Sequence, residues 1–267
     1  MLPSQEILKG CRDPEALEPL IAIAETVLRT WQPQWSPFVA APVREEALER
    51  LTCLTELQIH TAGGRPEAER QRLLFSRRDE GEAVIDSTPL PVAGLEVEGN
   101  FLFDPVEPHE MRSAILSIPI ENGPLNAGEL GDLWIRGDRG AQLLCTPEVA
   151  AQLHGRQTHV RDVEIQLEKR PLDLLQLPAI RAPKRFTSVE ASCRLDAIAS
   201  AGFGLSRAKV VQQIRNGRLR LNWQPVRQAS KDLSVGDRLQ LQDRGSVEVL
   251  ALERTKRDRW RVQMERR

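Results

Sequence analysis

The chain has 267 residues, 40% of them hydrophobic, which suits roughly two domains with apolar cores and excludes a disordered chain. Residues 181–267 contain 20 Lys and Arg against 9 Asp and Glu, a net charge of +11, whereas residues 1–180 contain 17 against 29, a net charge of −12. Opposite charge in the two parts indicates an anionic partner for the basic part, and nucleic acid is the first candidate.

Other classes of protein are disfavoured by what the sequence lacks. The four cysteines are isolated and form no Cys-x-x-Cys pair, which argues against a zinc site or a disulfide framework. No apolar run approaches the roughly 20 residues that a membrane span needs. The four histidines have no metal or triad spacing, and no phosphate-loop motif is present. We therefore expect a soluble cytoplasmic monomer with no cofactor, no metal and no membrane contact.

Residues 1–80 are predicted to form an N-terminal helical α/β domain. Apolar residues recur at helical spacing between residues 17 and 28. This helix could begin at Asp13, or at Glu18 because Pro19 fits poorly inside a helix. The stretch Glu67–Leu74 is predicted to form a charged helix.

Residues 81–172 carry the element order strand, helix, strand, strand, helix, strand, which predicts a ferredoxin-like (RRM-like) domain. The predicted elements are Leu95–Phe103, His109–Leu116, Leu133–Arg136, Ala141–Cys145, Pro147–Leu153 and Val163–Leu167. An RNA-recognition sheet would present aromatic side chains, and only Phe101, Phe103 and Trp134 could serve. Three prolines predict a linker over Pro171–Pro183.

The basic part begins with a predicted helix pair. The first helix spans Ala191–Ala201, with Thr187 or Ser188 as its cap, and the second begins at Ser206 as N-cap. Arg207 and Lys209 then lie in the first turn, where the helix dipole disfavours positive charge. Because free amides at a helix start attract phosphate, this start is a candidate anion site.

A strand follows the helix pair. Leu219 and Leu221 alternate with Arg218, Arg220 and Asn222, so one face is apolar and the other basic. A second strand after Gly236-Asp237 repeats the pattern.

These residues resemble the S4 RNA-binding domain. The matching segments are Arg194-Leu195-Asp196, Leu205-Ser206-Arg207, Ile214-x-Asn216-Gly217-Arg218-x-Arg220-x-Asn222 and Gly236-Asp237. Where the general pattern has Asn-Gly, this chain has Asn222-Trp223, which is similar to the YlmH-like subfamily that includes the photosystem II S4-domain proteins. Further segments agree with that subfamily: Gly63-Gly64-Arg65 through Arg72, Leu130-Gly131-Asp132-Leu133, and Thr255-Lys256-Arg257 through Val262.

The resemblance implies an α+β protein whose residues 181–250 form an S4 (αL-type) domain, with a basic strand or tail over 251–267. It implies binding of structured rRNA or tRNA, on ribosomes or on obstructed large ribosomal subunits, as in ribosome quality control. The RNA-binding residues expected from charge and motif together are Arg194, Ser206, Arg207, Lys209, Gln213, Asn216, Arg218, Arg220, Asn222 and Lys231. Possible additional contacts are Arg70, Arg72, Lys256 and Arg257.

Three functions stay open at this point. The first is a non-enzymatic RNA-binding factor. The second is a photosystem II-related biogenesis or protein-interaction factor, in which the acidic residues 1–180 dock a protein and the basic domain only steers association. The third is an RNA-modifying enzyme related to pseudouridine synthases, for which no catalytic domain is recognisable before residue 181.

Overall fold

The structure is a computed structural model that describes residues 2–65, 67–121, 123–179, 182–241 and 244–267. It divides into two compact units, the N-terminal unit Met1–Ala179 and the C-terminal unit Ile180–Arg267. In the described part of the chain, no helix is long and apolar enough to cross a membrane.

The N-terminal unit begins with helices packed on a small sheet. The helices are α1 (Ser4–Leu8), α2 (Pro14–Thr30) and α3 (Ala41–Leu51), and the strands are β1 (Gln34–Trp35), β2 (Leu57–Ala62) and β3 (Arg72–Arg77), in the antiparallel order β1-β3-β2. Helix α2 starts at the first of the two predicted positions, since the Asp13 carboxylate accepts a hydrogen bond from the Ala16 amide at 3.1 Å. Pro19 lies inside this helix at a cost of about 3 kcal/mol. That cost is outweighed, because each fully buried aliphatic side chain of the helix contributes about 1.5–3 kcal/mol and Leu17, Leu20, Ile21 and Val27 are all buried.

The helix predicted over Glu67–Leu74 is wrong. Strand β3 starts at Arg72 and pairs with β2 from Ala62↔Arg72 to Leu57↔Arg77. It is the central strand of its sheet, and Leu73, Leu74 and Phe75 are all buried. A strand covered on both faces is apolar without alternation, so its sequence lacks the period that distinguishes a strand from a helix.

The rest of this unit has the ferredoxin-like order, which confirms that prediction. Its elements are α4 (Ala83–Ser87), β4 (Ala93–Glu98), α5 (Pro108–Leu116), β5 (Pro119–Ile120), β6 (Gly123–Pro124), β7 (Leu130–Ile135), β8 (Gly140–Cys145), α6 (Pro147–Leu153), β9 (Gln157–Val160) and β10 (Val163–Arg170). The antiparallel sheet runs β7-β8-β4-β10-β9, in which β9 is an additional edge strand paired with β10. Strand β4 is shorter than predicted: Gly99 to Phe103 form a loop, tied to the β7–β8 turn by a 2.8 Å hydrogen bond from the Phe101 amide to the Asp138 carbonyl.

The C-terminal unit packs two helices on an antiparallel sheet. Its elements are β11 (Lys184–Glu190), α7 (Leu195–Phe203), α8 (Arg207–Arg215), β12 (Leu219–Leu221), β13 (Gln224–Pro225), β14 (Arg238–Leu241), β15 (Gly245–Arg254) and β16 (Trp260–Arg266). The sheet order is β11-β16-β15-β14-β12-β13. Core residues come from both helices and from alternate positions of the strands, among them Ile198, Phe203, Leu219, Val247 and Met264.

Two expectations for this unit are corrected by the sheet. Thr187 and Ser188 belong to β11 and cap no helix; α7 begins later, with Arg194 at its N-cap position. Residues 251–267 are not a separate strand or tail, because β16 lies between β11 and β15 and pairs with both. Helix α7 approaches this sheet closely at Gly202, where a Cβ atom would lie only 2.9 Å from the Val247 side chain.

Candidate nucleic-acid interface

At the start of α8, the C-terminal unit exposes cations beside free backbone amides. Ser206 caps the helix, and its Oγ accepts a hydrogen bond from the Lys209 amide at 3.3 Å. Arg207 and Lys209 are exposed, and the first turn contains no acidic residue. Positive side chains here oppose the helix dipole by about 0.3–1 kcal/mol each at an exposed site. A bound anion would remove that opposition and would also accept hydrogen bonds from the first-turn amides.

The two cations differ in their surroundings. The Arg207 guanidinium lies 3.9 Å from the Glu190 carboxylate, at the end of β11, and its side chain is about half exposed. Within the described residues, Lys209 forms no ion pair. Lys209 is therefore the better candidate to bind an external anion, because it shares its charge with no carboxylate in the described part of the chain.

Helix α8 carries the polar candidates along one stripe. Ser206, Lys209, Gln213 and Asn216 are spaced by three or four residues, which places them on the same face of a helix. Gln213 is half-buried, whereas Asn216 at the C-cap is exposed. The Arg218 amide donates to the Gln213 carbonyl at 2.9 Å, so the chain turns directly from this stripe into β12.

The start of α7 brings two further predicted residues together. The Leu195 amide donates to the Lys231 carbonyl at 2.8 Å, and residues 194 and 232 form an isolated bridge. The Arg194 guanidinium is engaged by the largely buried carboxylate of Asp196, at 3.1 Å. Arg194 therefore has a positioning role at the start of the helix, while the exposed Lys231 lies beside it.

Arg220 lies on a different face of the unit. Its neighbours Leu219 and Leu221 are buried in the core with α7 and α8, whereas Arg220 is exposed. Successive strand side chains point to opposite faces, so Arg220 projects from the side of the sheet away from the helices. The structure does not bring Arg220 to the surface that carries Arg207 and Lys209.

Asn222 is occupied by internal hydrogen bonds. Its side chain donates to Asp237 at 2.7 Å and accepts from the Arg238 amide at 2.8 Å, which fixes the turn between β12 and β13. Asn222 and Trp223 both have positive φ, 48° and 69°, as the two central residues of a type I′ turn require. We leave Asn222 out of the proposed interface for this reason.

Comparisons with known proteins identify two domains in this chain. The family described as "YlmH, N-terminal" matches residues 12–80, and the family described as "S4 domain" matches residues 193–239. The chain thus carries a YlmH-type N-terminal domain and a C-terminal S4 domain. The resemblance seen in the sequence is confirmed.

Two individual proteins are also similar to this chain. The chain is 26% identical over 227 residues to "Ribosome-associated protein quality control protein P2" of Bacillus subtilis (strain 168), and the match covers 84% of each protein. It is also similar to the solved structure of "Cell division protein ylmH from Streptococcus pneumoniae", with 17% identity and a TM-score of 0.47, covering 61% of this chain and 94% of that one. Neither these names nor the matched families mention tRNA or photosystem II.

In the YlmH-type domain, Arg70 and Arg72 are held by internal contacts. The Arg70 guanidinium donates to the carbonyls of Leu130 at 2.9 Å and Ala127 at 3.0 Å. The Arg72 guanidinium donates to the carbonyls of Ser36 at 2.6 Å and Pro91 at 2.7 Å. Burial lowers the pKa of both groups. These hydrogen bonds compete with phosphate, so we leave both residues out of the proposed interface.

Sequence reasoning did not identify the role of Asp132. This buried carboxylate accepts hydrogen bonds from the amides of Glu69 at 3.0 Å and Arg70 at 2.8 Å, and it pairs with Arg65 at 2.5 Å. Nearby, burial lowers the pKa of Arg112 to about 10. The two family segments, Gly63 to Arg72 and Leu130 to Leu133, thus meet in a structural junction.

The ferredoxin-like sheet does not present a platform for RNA bases. Phe101 is buried in the core, and Phe103 is exposed on a loop outside the sheet. The Trp134 indole donates to the Gln176 carbonyl at 3.0 Å, so the segment after β10 crosses this face. At its centre, Glu96 pairs with Arg136 and Arg170. These ion pairs occupy the positions where an RNA-recognition sheet presents aromatic rings for stacking on bases, so the likeness to such a domain is limited to the topology.

Lys256 and Arg257 occupy a separate place in the S4 unit, the exposed turn between β15 and β16. Among the described residues, no group of three or more His, Cys, Asp and Glu side chains could hold a metal ion.

Proposed function

We propose that this protein is a non-enzymatic RNA-binding factor that recognises structured rRNA or tRNA on the ribosome, on obstructed large subunits in particular. The observation that carries the proposal is the start of α8, an exposed, acid-free helix start with two cations inside an S4 domain. The name of the Bacillus subtilis relative supports the ribosome as the place of action. Such a protein would act in the cytoplasm.

Charge supports RNA as the ligand of this surface. The C-terminal residues 181–267 have a net charge of +11, which would attract a phosphate backbone over a long range at low salt. Phosphate contacts by Arg207, Lys209 and Lys231 would fix the orientation of the RNA, while Arg194, paired with Asp196, positions the start of α7. Few aromatic residues are available for reading bases, so shape would provide the selectivity.

The salt dependence of binding tests the proposal. If Arg207, Lys209 and Lys231 each neutralise one phosphate, log affinity should fall against log salt with a slope of about −2 to −3. Fluorescence anisotropy with a labelled rRNA fragment and sedimentation with purified large ribosomal subunits would measure it. A slope near zero would contradict phosphate recognition.

A pair of variants locates the binding. Replacing Arg207 and Lys209 by Gln should weaken binding and make the slope shallower by about 1.4 to 1.8. The control replaces Lys9 and Arg29, exposed cations of the N-terminal unit, by Gln and removes the same charge. Equal losses for the two variants would show that the α8 start is no binding surface.

One observation favours a protein contact as a second function of the acidic part. Leu102 and Phe103 are exposed by 57% and 92% on the loop after β4. Adjacent large apolar side chains on a surface loop are typical of protein-docking sites. If Phe103→Ser abolishes ribosome association and the Arg207/Lys209 variant keeps it, the interaction factor becomes the better account.

A further inference from the structure

The turn between β15 and β16 concentrates positive charge that the α8 start does not explain. Its cations are Arg254, Lys256, Arg257, Arg259 and Arg261, against the two acids Glu253 and Asp258. They line an open cleft of about 720 Å³ on the S4 unit. We call residues 253–261 the basic turn.

The basic turn is held in one shape by its own hydrogen bonds. The Thr255 amide donates to the Arg259 carbonyl at 2.8 Å, and the Arg259 amide donates to the Thr255 hydroxyl at 3.1 Å. The Arg254 guanidinium lies 5.4 Å from the centre of the Trp260 ring. The strands on both sides are paired up to Arg254↔Trp260. Ordering the turn therefore costs little when a ligand binds.

Part of the charge is balanced within the turn and part is not. Arg254 pairs with Asp258 at 3.0 Å, and Arg261 pairs with Glu253 at 3.7 Å. Lys256, Arg257 and Arg259 are exposed, and within the described ranges none of them has an acidic partner. Three like charges within four positions repel one another, and a ligand with several anionic groups would relieve that repulsion.

The basic turn lies at the same end of the sheet as the α8 start. Glu190 of β11 is opposite Trp260, which is opposite Arg254. The Glu190 carboxylate is in turn 3.9 Å from the Arg207 guanidinium. With strands about 4.8 Å apart, the root of the turn is roughly 10 Å from Glu190. One folded RNA could contact both places.

We propose that the basic turn is a second RNA-backbone site, which acts together with the α8 start as a two-point clamp on one folded RNA. The inference rests on the proposed RNA-binding function and adds a site to it. Lys256, Arg257 and Arg259 contact phosphates, while Arg254 and Arg261 hold the turn in place. Two contacts on one molecule raise the local concentration of each site for the other, so each contributes to the overall affinity.

The test replaces Lys256, Arg257 and Arg259 by Gln in the full chain, with the same labelled rRNA fragment and large subunits as probes. We expect affinity to fall at least about tenfold and the salt slope to become shallower by about 2 to 2.7, as three lost phosphate contacts require. The matched control replaces Arg215, Arg227 and Arg244, three exposed cations of the same unit, by Gln. Thermal unfolding of both variants checks that the fold is kept.

The outcomes separate this inference from the proposed function. If the turn variant binds like the control variant while the Arg207/Lys209 variant loses binding, the basic turn is no RNA site and the α8 surface stands. If the parent shows no salt-dependent RNA binding, both proposals fail. A tenfold loss confined to the turn variant and the α8 variant supports the clamp. A second variant, Lys256→Arg with Arg257→Lys, should keep the affinity, because it keeps both charges.

Discussion

Replacing Lys209 at the start of α8 by Glu should raise stability and weaken RNA binding, whereas the same replacement of Arg215 at the end of the helix should lower stability and change RNA binding little. Position 209 is the third residue of the helix after the Ser206 cap, so Lys209→Glu completes a capping box of the form Ser-x-x-Glu. The change removes an unfavourable charge and adds a favourable one, and each is worth about 0.3–1 kcal/mol at an exposed helix start. We expect stabilisation of about 1 kcal/mol. RNA affinity should fall at least about tenfold, because a carboxylate then stands where a phosphate would bind.

Arg215→Glu is the matched control, because it makes the same charge change in the last turn of the same helix. There the dipole favours a cation, so this variant should lose about 1 kcal/mol of stability. Its distance from the cap should limit the loss of RNA affinity to about threefold, through net charge alone. The two variants should thus differ in stability by about 2 kcal/mol, and in a unit of this size each kcal/mol shifts the melting temperature by about 4–8 °C.

Differential scanning calorimetry of the full chain and fluorescence anisotropy with an rRNA fragment measure the two effects. A lower melting temperature for Lys209→Glu than for the parent would show that the lysine has a structural role. RNA binding that is lost in Arg215→Glu but kept in Lys209→Glu would refute the location of the interface.

Four further predictions follow from the packing. Leu219→Ala, in the core, should cost about 2–5 kcal/mol and reduce RNA binding only in proportion to the unfolded fraction, as parallel melting and binding curves would show. Trp223→Gly should be more stable than Trp223→Ala by about 1–2 kcal/mol in urea unfolding, because both lack the ring and only Ala keeps the strain of positive φ at this position. Asp132→Ala should destabilise the N-terminal unit by about 3–5 kcal/mol, as it leaves Arg65 and two amides without their buried acceptor; equal denaturation midpoints for variant and parent would contradict this. Burial raises the pKa of Cys145 to about 12, so this thiol stays protonated in the folded protein. In the unfolded chain it ionises above the ordinary thiol pKa of about 8.5, so the free energy of unfolding should fall as pH rises above that value. At pH 8 a thiol reagent should label the exposed Cys53 quickly and Cys145 only after unfolding.

The sequence was sufficient for those features that depend on neighbouring residues. The division of charge, the cap at Ser206, the end of α8 near Asn216 and the ferredoxin-like element order are all encoded within a few turns or strands of chain. Caps, periodicity and turn residues act over short distances, so they are readable before the chain folds. The family motifs that identify the S4 domain belong to the same class of local signal.

Tertiary structure decided the features that depend on residues distant in sequence. The Arg70 guanidinium donates a hydrogen bond to the Leu130 carbonyl, 60 residues away. No local sequence pattern reveals this partner, and the contact gives the arginine a structural role. The same holds for β16, whose place between β11 and β15 rests on pairing with residues far along the chain. It also holds for Arg220: the alternation in the sequence predicted a basic face on this strand, but only the packing of Leu219 and Leu221 under the helices shows that this face lies away from Arg207 and Lys209. A charged side chain has the same sequence signature whether it binds a carbonyl, a carboxylate or a phosphate, and only the folded chain shows which acceptor is within reach.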